Sequence, residues 1–511
     1  MAETDDGFGS RDPRRSGPVS GPGRVGRADV GRTLAGPPAA LCILIDDWGI
    51  EQLRWWVERG LSPYLPGARP TDLALTPNLD RFFGESVVFP RCFASSVCSP
   101  TRAQILTGRY PLQTGIGAIV TEDGSNGPFD CPADQGTVYT HAAALGVASA
   151  HFGKLHLVRN RALTEARFPG LPESEYPPPE ETFAKDVLGV GRYRGIPRNV
   201  NNPPIPLGGP SDGRGSYFDW FEISPAGLRE ARTEWVTERQ FTTLSDWVTR
   251  RSDPFLAHLW LTACHGPFAA ENFPPASLRP TGRTPSEKDV WNNAKGMVEA
   301  VDVLFGRLRS ALEASGWWDR TAIFFLADNG TDARVVTAQQ AAGQLDGLEP
   351  ARFKGEPYVH GTNVPLAVKP PASYRREAGV RDDLVDVVDL RPTMVDVLRD
   401  DGAATLEGVS RSFVGALRSP NATRIRRYSY ASRFTPNGSI EQAVSSQEAI
   451  AFAPSQAPSR TARVIFRTTR GAELEPEPLW LEKGREVPAP EPGLVAEAQA
   501  IRAELRAARI P

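Results

Sequence analysis

Acidic and amide side chains directly follow two apolar segments of this chain. The segment "ALCILI" runs into Asp46 and Asp47, and the segment "TAIFFLA" runs into Asp328 and Asn329. In an open α/β sheet, the carboxyl ends of the strands form the edge at which ligands bind. Two charges about 4 Å apart repel by about 4 kcal/mol at an effective dielectric of 20. Gathered carboxylates therefore need a cation, and oxygen donors favour Ca²⁺ or Mg²⁺ over zinc.

Cationic and titratable side chains follow two further apolar segments. Lys154 and His156 come after "VASAHFG", and His265 comes after "PFLAHLWLTA". Each residue also has an ordinary structural explanation: a lysine at a strand end, a histidine in the core, or a side chain that caps a turn. The same holds for a single aspartate at a strand end, but two acidic pairs on two strands favour a functional site.

A cysteine opens the segment "CSPTRAQILTGR", residues 98 to 109. Ser99 is a plausible N-cap and Pro100 a natural first residue of a short helix that Gly108 ends. Cys98 would then lie at the positive end of the helix dipole, with Arg102 nearby, and both would favour an anion.

One interpretation of Cys98 is a nucleophilic thiolate with a lowered pKa. A cysteine phosphatase loop, however, requires an arginine six positions after the cysteine, and Gln104 stands there. Arg102 does not occupy the position that this loop requires. The spacing therefore excludes the familiar cysteine phosphatase geometry.

Apolar strands alternate with helical segments from about residue 38. This order predicts an α/β fold with a mostly parallel sheet flanked by helices. We expect a disordered leader over residues 1–37, a catalytic domain over 38–404 and a smaller C-terminal α+β subdomain over 405–511. The Pro- and Gly-rich stretch from 173 to 215 is predicted to be a surface excursion that could wall a pocket.

Composition limits the classes of partner. The formal net charge is −3, which gives no strong field to attract nucleic acid. No segment approaches the roughly 20 apolar residues needed to span a bilayer, and no signal peptide is recognised. We therefore expect a cytoplasmic protein without a nucleic-acid or membrane partner. The five cysteines are too scattered for a disulfide framework or a structural zinc site: Cys42, Cys92, Cys98, Cys131 and Cys264.

The run "CSPTR", continued by "LTGR", resembles the signature of the sulfatase family, within the alkaline phosphatase superfamily. The stretches "ILIDDWG", "TPNLDRFFGESVVF", "GKLHL" and "DLRPTMVDVL" are also similar to family landmarks. The resemblance covers about residues 40 to 400. It implies that this chain is an arylsulfatase-like enzyme. It also implies that a separate formylglycine-generating enzyme converts the cysteine to formylglycine. The hydrated aldehyde then attacks the sulfur of a sulfate ester.

The resemblance also implies roles for individual residues. Arg102 would stabilise the formylglycine, and His156 would bind its diol. Sulfate oxygens would be held by Lys154, His265 and Lys354. A divalent ion, Ca²⁺ with Mg²⁺ or Mn²⁺ as alternatives, would contact the modified Cys98 and have as further ligands Asp46, Asp47, Asp328 and Asn329.

Three functions follow from these observations. The first is hydrolysis of a small sulfate ester, such as an aryl, sugar or other organic sulfate. The second is hydrolysis of a phosphonate or phosphate monoester, since the same site suits tetrahedral phosphorus. The third is a non-catalytic anion-binding homologue, which the complete set of motif residues disfavours. Near Lys354 the chain departs from the family pattern, because "HGTNVP" stands where the family usually shows Glu-Gly-Gly-x-Arg-Val-Pro.

Overall fold

The computed structural model describes most of the chain after the first 35 residues. The described residues all belong to one compact unit, Gly36–Pro511. They are 36–61, 69–121, 124–126, 136–159, 180–200, 216–345, 349–457, 460–470, 472–482, 485–489 and 491–507. Almost all of the predicted leader, residues 1–37, therefore lies outside the described residues.

The described residues form strands and helices in alternation over the first 400 positions. The strands are β1 (Ala39–Ile45), β2 (Val87–Val88), β3 (Arg91–Phe93), β4 (Ala148–Lys154), β5 (Arg192–Ile196), β6 (Trp220–Ile223), β7 (Arg229–Arg232), β8 (Phe255–Trp260), β9 (Thr321–Ala327), β10 (Asn363–Val364), β11 (Leu366–Lys369), β12 (Gly379–Val380), β13 (Leu384–Asp386), β14 (Leu406–Glu407), β15 (Ser410–Arg411), β16 (Tyr428–Thr435), β17 (Ser445–Phe452), β18 (Thr461–Thr469), β19 (Ala472–Glu473), β20 (Glu477–Glu482) and β21 (Arg485–Pro488). The α-helices are α1 (Arg54–Glu58), α2 (Pro77–Gly84), α3 (Cys98–Thr107), α4 (Pro111–Thr114), α5 (Val138–Ala144), α6 (Glu180–Asp186), α7 (Val236–Val248), α8 (Val290–Ala314), α9 (Ala333–Ala341), α10 (Val359–Thr362), α11 (Leu390–Arg399), α12 (Val414–Arg418) and α13 (Pro492–Ala507).

A ten-stranded sheet forms the centre, in the order β12-β2-β11-β9-β1-β8-β4-β5-β6-β7. The five adjacent strands β9, β1, β8, β4 and β5 are parallel to one another. Every residue of β1, β8 and β9 is buried, which explains their continuous apolar sequences. The predicted mostly parallel sheet flanked by helices is confirmed.

Helices cover this sheet in two groups. α8 contacts α2, α7 and α9, whereas α11 contacts α3, α5 and β1. Because the central strands are parallel, their carboxyl ends all meet at the same edge. The residues that follow β1, β4, β8 and β9 are therefore brought together there.

The excursion predicted for residues 173 to 215 is wrong for its described part, residues 180–200. β5 extends the central sheet by pairing in parallel with β4. Tyr193, Gly195 and Ile196 are buried, while the intervening Arg194 is only half-buried. This short alternation is masked in the sequence by the surrounding prolines and glycines. The remainder of the stretch lies outside the described residues.

The C-terminal part contains an antiparallel sheet in the order β16-β17-β18-β20-β21. α13 contacts β17 and β18, and its apolar residues Leu494, Ala498, Ile501 and Leu505 are buried in a common core with strand residues. The boundary at residue 405 stays a prediction. Among the described residues, no helix has the length and apolar character that crossing a membrane requires.

Candidate active site

The helix that carries Cys98 begins two residues earlier than expected. Val97 is its N-cap, with an extended backbone, and Cys98 is its first residue. The prediction of Ser99 as N-cap is therefore wrong: its Oγ instead accepts a hydrogen bond of 3.0 Å from the Val120 backbone N–H. Pro100 is tolerated because N–H groups in a first helical turn have no intrahelical partner. Gly108 ends the helix with φ 66°, as predicted.

The acidic residues after β1 and β9 meet as the parallel register requires. The backbone N–H of Asp328 donates to the Ile45 carbonyl at 3.2 Å, which continues the pairing beyond the strands. The Asp47 N–H donates to Asp328 Oδ1 at 3.2 Å, and Asn329 Nδ2 donates to Asp47 Oδ1 at 2.8 Å. The four predicted ligands thus form one buried cluster.

Two cations converge on Asp46. Arg102 Nη2 lies 3.2 Å from Asp46 Oδ2 and 2.8 Å from Asp328 Oδ2, and the Lys154 ammonium contacts the same Asp46 oxygen. Arg102 Nη1 also donates to the Lys154 carbonyl at 3.1 Å. All four side chains are fully buried. Burial alone would raise the pKa of Asp46, but Lys154 and Arg102 hold it well below its ordinary value.

A third cation pairs with Asp47. Lys354 Nζ lies 2.6 Å from Asp47 Oδ2, and His265 Nε2 lies 3.8 Å from the same oxygen. Burial raises the pKa of Asp47 to about 7, despite the opposing charge of Lys354. His265 Nδ1 lies 2.7 Å from the Gly266 carbonyl, so Nδ1 carries a proton and Nε2 faces the carboxylate.

The loop that carries Lys354 reaches the site despite its departure from the family pattern. The Lys354 backbone N–H donates to the Thr331 carbonyl at 3.2 Å, and the Gly355 N–H donates to the Ser96 carbonyl at 2.7 Å. These bonds tie the loop to the exit of β9 and to the approach to α3. Lys354 is therefore positioned by the two segments that also carry Asn329 and Cys98.

His156 lies close to the cation cluster. Its side chain is buried, and its Nδ1 has no hydrogen-bond partner among the described residues. Burial, assisted by Lys154 and Arg102, holds the pKa of His156 well below its ordinary value. His156 has φ 60° and Asp47 has φ 55°, a left-handed conformation that only surrounding contacts maintain in residues other than glycine. Strained backbone of this kind is typical of functional sites.

The environment of Cys98 disfavours a simple thiolate nucleophile. The side chain is fully buried, and burial raises the pKa of its thiol to about 12, although Lys154 and Lys354 oppose this shift. At neutral pH the thiol therefore stays protonated. A low-pKa cysteine at the helix N-terminus, one interpretation of the sequence, is not what these surroundings produce.

The donor atoms fit a hard divalent cation. One ligand atom each from Asp46, Asp47 and Cys98 lies within 4.8 Å of the others. Asp46 Oδ1 and Asn329 Oδ1 are buried, and neither accepts a hydrogen bond from the described residues. Buried oxygens without donors are costly, and a cation would satisfy both. Asp328 belongs to the cluster because it accepts hydrogen bonds from Arg102 and from the Asp47 backbone N–H.

The sequence did not identify Glu51 as part of the support for this site. Glu51 is buried and accepts a hydrogen bond from Thr331 Oγ1, which in turn accepts one from the Gly49 N–H at 2.9 Å. A charged residue within the apolar stretch "WGIEQLRWW" is the one signal that could have found it. Trp48, Trp55 and Trp56 in this stretch are buried core residues.

Two curated relatives are similar in sequence to this chain. Arylsulfatase A of Bos taurus is 27% identical over 424 residues, which cover 77% of this chain and 71% of that protein. N-acetylgalactosamine-6-sulfatase of Mus musculus is 26% identical over 316 residues, which cover 60% of this chain and 52% of that protein. This chain therefore spans about half the length of the second relative.

Solved structures share the fold. The crystal structure of Ps i-CgsB has a TM-score of 0.64 at 19% identity and covers 93% of this chain and 94% of its own. The phosphonate monoester hydrolase of Agrobacterium radiobacter has a TM-score of 0.55 at 18% identity and covers 92% of this chain and 95% of its own. Identities this low show a common fold alone.

The relatives overturn one expectation. Arylsulfatase A and N-acetylgalactosamine-6-sulfatase are lysosomal or secreted enzymes, so the prediction of a cytoplasmic location is wrong. That prediction rested on an unrecognised signal peptide and on scattered cysteines, neither of which identifies a compartment when a fold needs no disulfide.

A family model described as Sulfatase matches residues 41–400, a range that contains all ten predicted site residues. The match confirms the predicted enzyme class, a sulfuric ester hydrolase. Together with the sulfatase relatives it settles the family. The chain belongs to the sulfatase family.

Proposed function

We propose that this chain hydrolyses a small organic sulfate ester at the Cys98 site, with formylglycine made from Cys98 as nucleophile and a divalent ion bound alongside. The observation that supports the proposal is the position of Cys98, which starts a buried helix beside Asp46 and Asp47. A formylglycine-generating enzyme would be the maturation partner. Aryl sulfates and sulfated sugars are the first substrates to test, since the relatives are named for them.

Formylglycine would supply a hydrated aldehyde, whose one hydroxyl attacks sulfur and whose other hydroxyl releases sulfate. A thiol offers no comparable second step, and its raised pKa makes the unmodified Cys98 a poor nucleophile. Arg102 is well placed to orient the modified residue, because it lies one helical turn after residue 98 and is anchored by Asp46 and Asp328.

Ca²⁺, with Mg²⁺ or Mn²⁺ as alternatives, would supply positive charge next to the nucleophile and a sulfate oxygen. Its ligands would be the oxygen atoms of Asp46, Asp47, Asp328 and Asn329. The unsatisfied oxygens of Asp46 and Asn329 support this assignment. The donor set contains no neighbouring histidine pair of the kind that favours zinc.

Three further cationic or polar groups would hold the substrate. In the structure Lys154 donates to Asp46 and Lys354 donates to Asp47. Once those carboxylates bind a cation, both ammonium groups can donate to sulfate oxygens. His265 Nε2 faces the same space, because its Nδ1 is fixed on Gly266. Charge neutralisation on the nonbridging oxygens and protonation of the leaving oxygen are what sulfate transfer requires.

His156 is proposed to bind the diol. Its imidazole is neutral because burial holds its pKa well below the ordinary value, and its Nδ1, which has no partner among the described residues, can accept a hydrogen bond from the diol. A neutral base in contact with the modified residue would assist the second step, in which the second hydroxyl loses its proton, the aldehyde forms again and the carbon–oxygen bond to the sulfate is cleaved.

Peptide mass spectrometry tests the nucleophile. Trypsin cleaves after Arg91 and Arg102 and thus releases "CFASSVCSPTR", which contains both Cys92 and Cys98. Protein produced together with a formylglycine-generating enzyme is alkylated and digested. We expect one alkylated cysteine, Cys92, and one aldehyde at position 98 that reacts with hydrazine reagents. Two alkylated cysteines in fully active enzyme would contradict the proposal.

Paired kinetics separate sulfate from phosphorus chemistry. An aryl sulfate and the matching aryl phosphonate monoester are compared at equal metal concentration. We expect the larger kcat/KM for the sulfate. A clear preference for the phosphonate would instead support the second function predicted from the sequence, and turnover of neither ester by the modified protein would support the anion-binding homologue.

A further inference from the structure

Three buried side chains lie directly behind the cation cluster. Tyr139 on α5 is central: its hydroxyl lies 2.7 Å from His151 Nδ1 and 2.6 Å from His258 Nδ1. His151 on β4 and His258 on β8 are paired in register across the parallel strands. All three side chains are fully buried. The chain of hydrogen bonds ends at the active site, where His151 Nε2 lies 3.2 Å from the Lys154 carbonyl.

The directions of these hydrogen bonds are fixed by elimination. A carbonyl oxygen can only accept a hydrogen bond, so His151 Nε2 carries a proton and donates to the Lys154 carbonyl. In a neutral imidazole, Nδ1 is then an acceptor, and it accepts a hydrogen bond from the Tyr139 hydroxyl. The Tyr139 oxygen must therefore accept from His258 Nδ1–H. His258 Nε2 is left bare, which agrees with its having no partner among the described residues.

Both imidazoles are neutral at physiological pH. Burial lowers the pKa of His151 to about 3, and burial together with His151 holds the pKa of His258 well below its ordinary value. The hydrogen bond to Lys154 thus adds no positive charge beneath a site that already contains Arg102, Lys154 and Lys354. A cationic donor at the same place would repel those three groups.

The backbone at Lys154 needs this support. Gly153 has φ 98°, and a Cβ there would lie 2.0 Å from the Trp260 carbonyl, so only glycine fits just before Lys154. The Lys154 carbonyl accepts from two donors, His151 Nε2 at 3.2 Å and Arg102 Nη1 at 3.1 Å. The Trp260 ring packs between them, 4.7 Å from the His151 ring and 5.2 Å from the Arg102 guanidinium.

We propose that His151 is a positioning residue of the active site: oriented by Tyr139 and His258, it fixes the Lys154 carbonyl and thereby the placement of the Lys154 ammonium and of Arg102. The proposal rests on the proposed function, in which both cations serve the reaction. His151 itself touches neither substrate nor metal. It contributes by fixing the positions of Lys154 and Arg102, which serve the reaction directly.

A first experiment uses the unaltered protein and needs no substrate. The chain has only six histidines, so selective ¹⁵N-histidine labelling gives a spectrum that can be resolved. At pH 7 we expect neutral imidazoles at both positions, with the proton on Nε2 of His151 and on Nδ1 of His258. The H151Q and His258→Asn variants assign the two signals. A proton on Nδ1 of His151, or a charged ring, would overturn the proposal.

A second experiment separates positioning from packing. Glutamine places its amide nitrogen where His151 has Nε2, whereas asparagine places it near Nδ1. We expect His151→Gln to keep kcat within about threefold of the wild type, and His151→Asn and His151→Leu to lower kcat about 10- to 100-fold at nearly unchanged KM. Equal losses in all three variants, or full activity of His151→Leu, would contradict a positioning role.

Tyr139→Phe has a matched control in Tyr110→Phe. The Tyr110 hydroxyl is also fully buried and has two partners, Asp386 at 3.2 Å and Arg426 at 2.6 Å, but neither belongs to the site. We expect both variants to lose thermal stability and only Tyr139→Phe to lose kcat. If the enzyme prefers phosphonates, the same kinetic comparison is made on that ester, so failure of the substrate proposal leaves this test intact. Equal kcat in the two variants would refute the role of Tyr139.

Discussion

Lys354 and Asp47 form a partly buried ion pair of 2.6 Å although 307 positions separate them in the sequence. Replacing Lys354 with glutamine leaves Asp47 with less opposing charge and removes a donor for the sulfate oxygens. We expect Lys354→Gln to lower kcat/KM by at least about 10²-fold, as for the loss of a charged group that acts in the transition state. Steady-state kinetics with an aryl sulfate measure this change.

A buried lysine outside the site provides the control. Lys295 is also buried, and its Nζ donates to the Asp72 carbonyl at 3.0 Å. Lys295→Gln should cost stability with kcat/KM nearly unchanged. Activity of Lys354→Gln within threefold of the wild type would remove Lys354 from the catalytic set.

Metal affinity depends on Asn329. Its Oδ1 is one of the buried oxygens without a partner among the described residues, so Asn329→Ala removes a proposed ligand. We expect chelation to abolish activity, Ca²⁺ to restore it, and Asn329→Ala to weaken apparent Ca²⁺ affinity about 10- to 100-fold. Calcium titration of the chelated protein, followed by melting temperature, reports affinity without relying on turnover.

Asn363→Ala is the matched control for that titration. Asn363 is buried, and its Nδ2 donates to the carbonyls of Pro90 and Cys92, away from the cluster. It should lower the melting temperature and leave the calcium midpoint unchanged. An unchanged midpoint in Asn329→Ala as well would argue against Asn329 as a ligand.

The positive φ of Gly153 and the close approach of the Trp260 carbonyl make this glycine sensitive to substitution. Gly153 and Gly146 both have positive φ, but only at Gly153 would a Cβ meet another backbone, 2.0 Å from the Trp260 carbonyl. We expect Gly153→Ala to cost more than about 3 kcal/mol and Gly146→Ala about 1 kcal/mol. Urea unfolding of the two variants measures the difference. Equal costs would show that backbone conformation, and not the close approach, decides the effect.

Asp302 should make stability depend on pH. It lies on α8 and accepts from the Leu79 N–H and from Asn78 Nδ2, each at 2.8 Å. Burial raises its pKa from 3.8 to about 6. A raised carboxyl pKa means that the folded protein retains a proton which the unfolded chain has lost, so stability is present at low pH and falls as pH rises toward 6.

The variant Asp302→Asn removes this titration. Between pH 4.5 and 7, we expect the unfolding free energy of the wild type to fall by about 2 kcal/mol relative to that of the variant. Urea unfolding at several pH values for both proteins measures this difference. Parallel curves over that range would contradict the shifted pKa.

The metal-binding half of the site could be predicted from the sequence because its geometry follows from strand register. Apolar segments fix β1 and β9 as buried strands, and Asp46 and Asp328 must then meet where the strands end. The choice of Lys354 and the roles of Cys98 and Arg102 came from the family resemblance, and the structure places all three against the same acids. No local pattern around these three residues could establish that.

Other features depend on contacts that a single sequence does not reveal. His151 and His258 each look like an isolated core histidine in an apolar strand, and only the sheet order brings both to Tyr139. β5 was missed because two arginines interrupt its short apolar pattern. The first residue of α3 was misplaced because Ser-Pro is a favoured helix start, whereas the extended backbone of Val97 already allows Cys98 to begin the helix.

The separation of Arg102 and Asp328 along the chain also determines how long after Arg102 the ribosome adds Asp328. They form a hydrogen bond across 226 positions, and Cys98 is fully buried once that cluster is complete. Synthesis adds about 5 to 20 residues per second, so Asp328 is added about 10 to 45 s after Arg102. During that interval β1 lacks its neighbour β9, and the segment around Cys98 cannot be enclosed. Any enzyme that modifies Cys98 has this interval on the ribosome in which to act on an accessible chain.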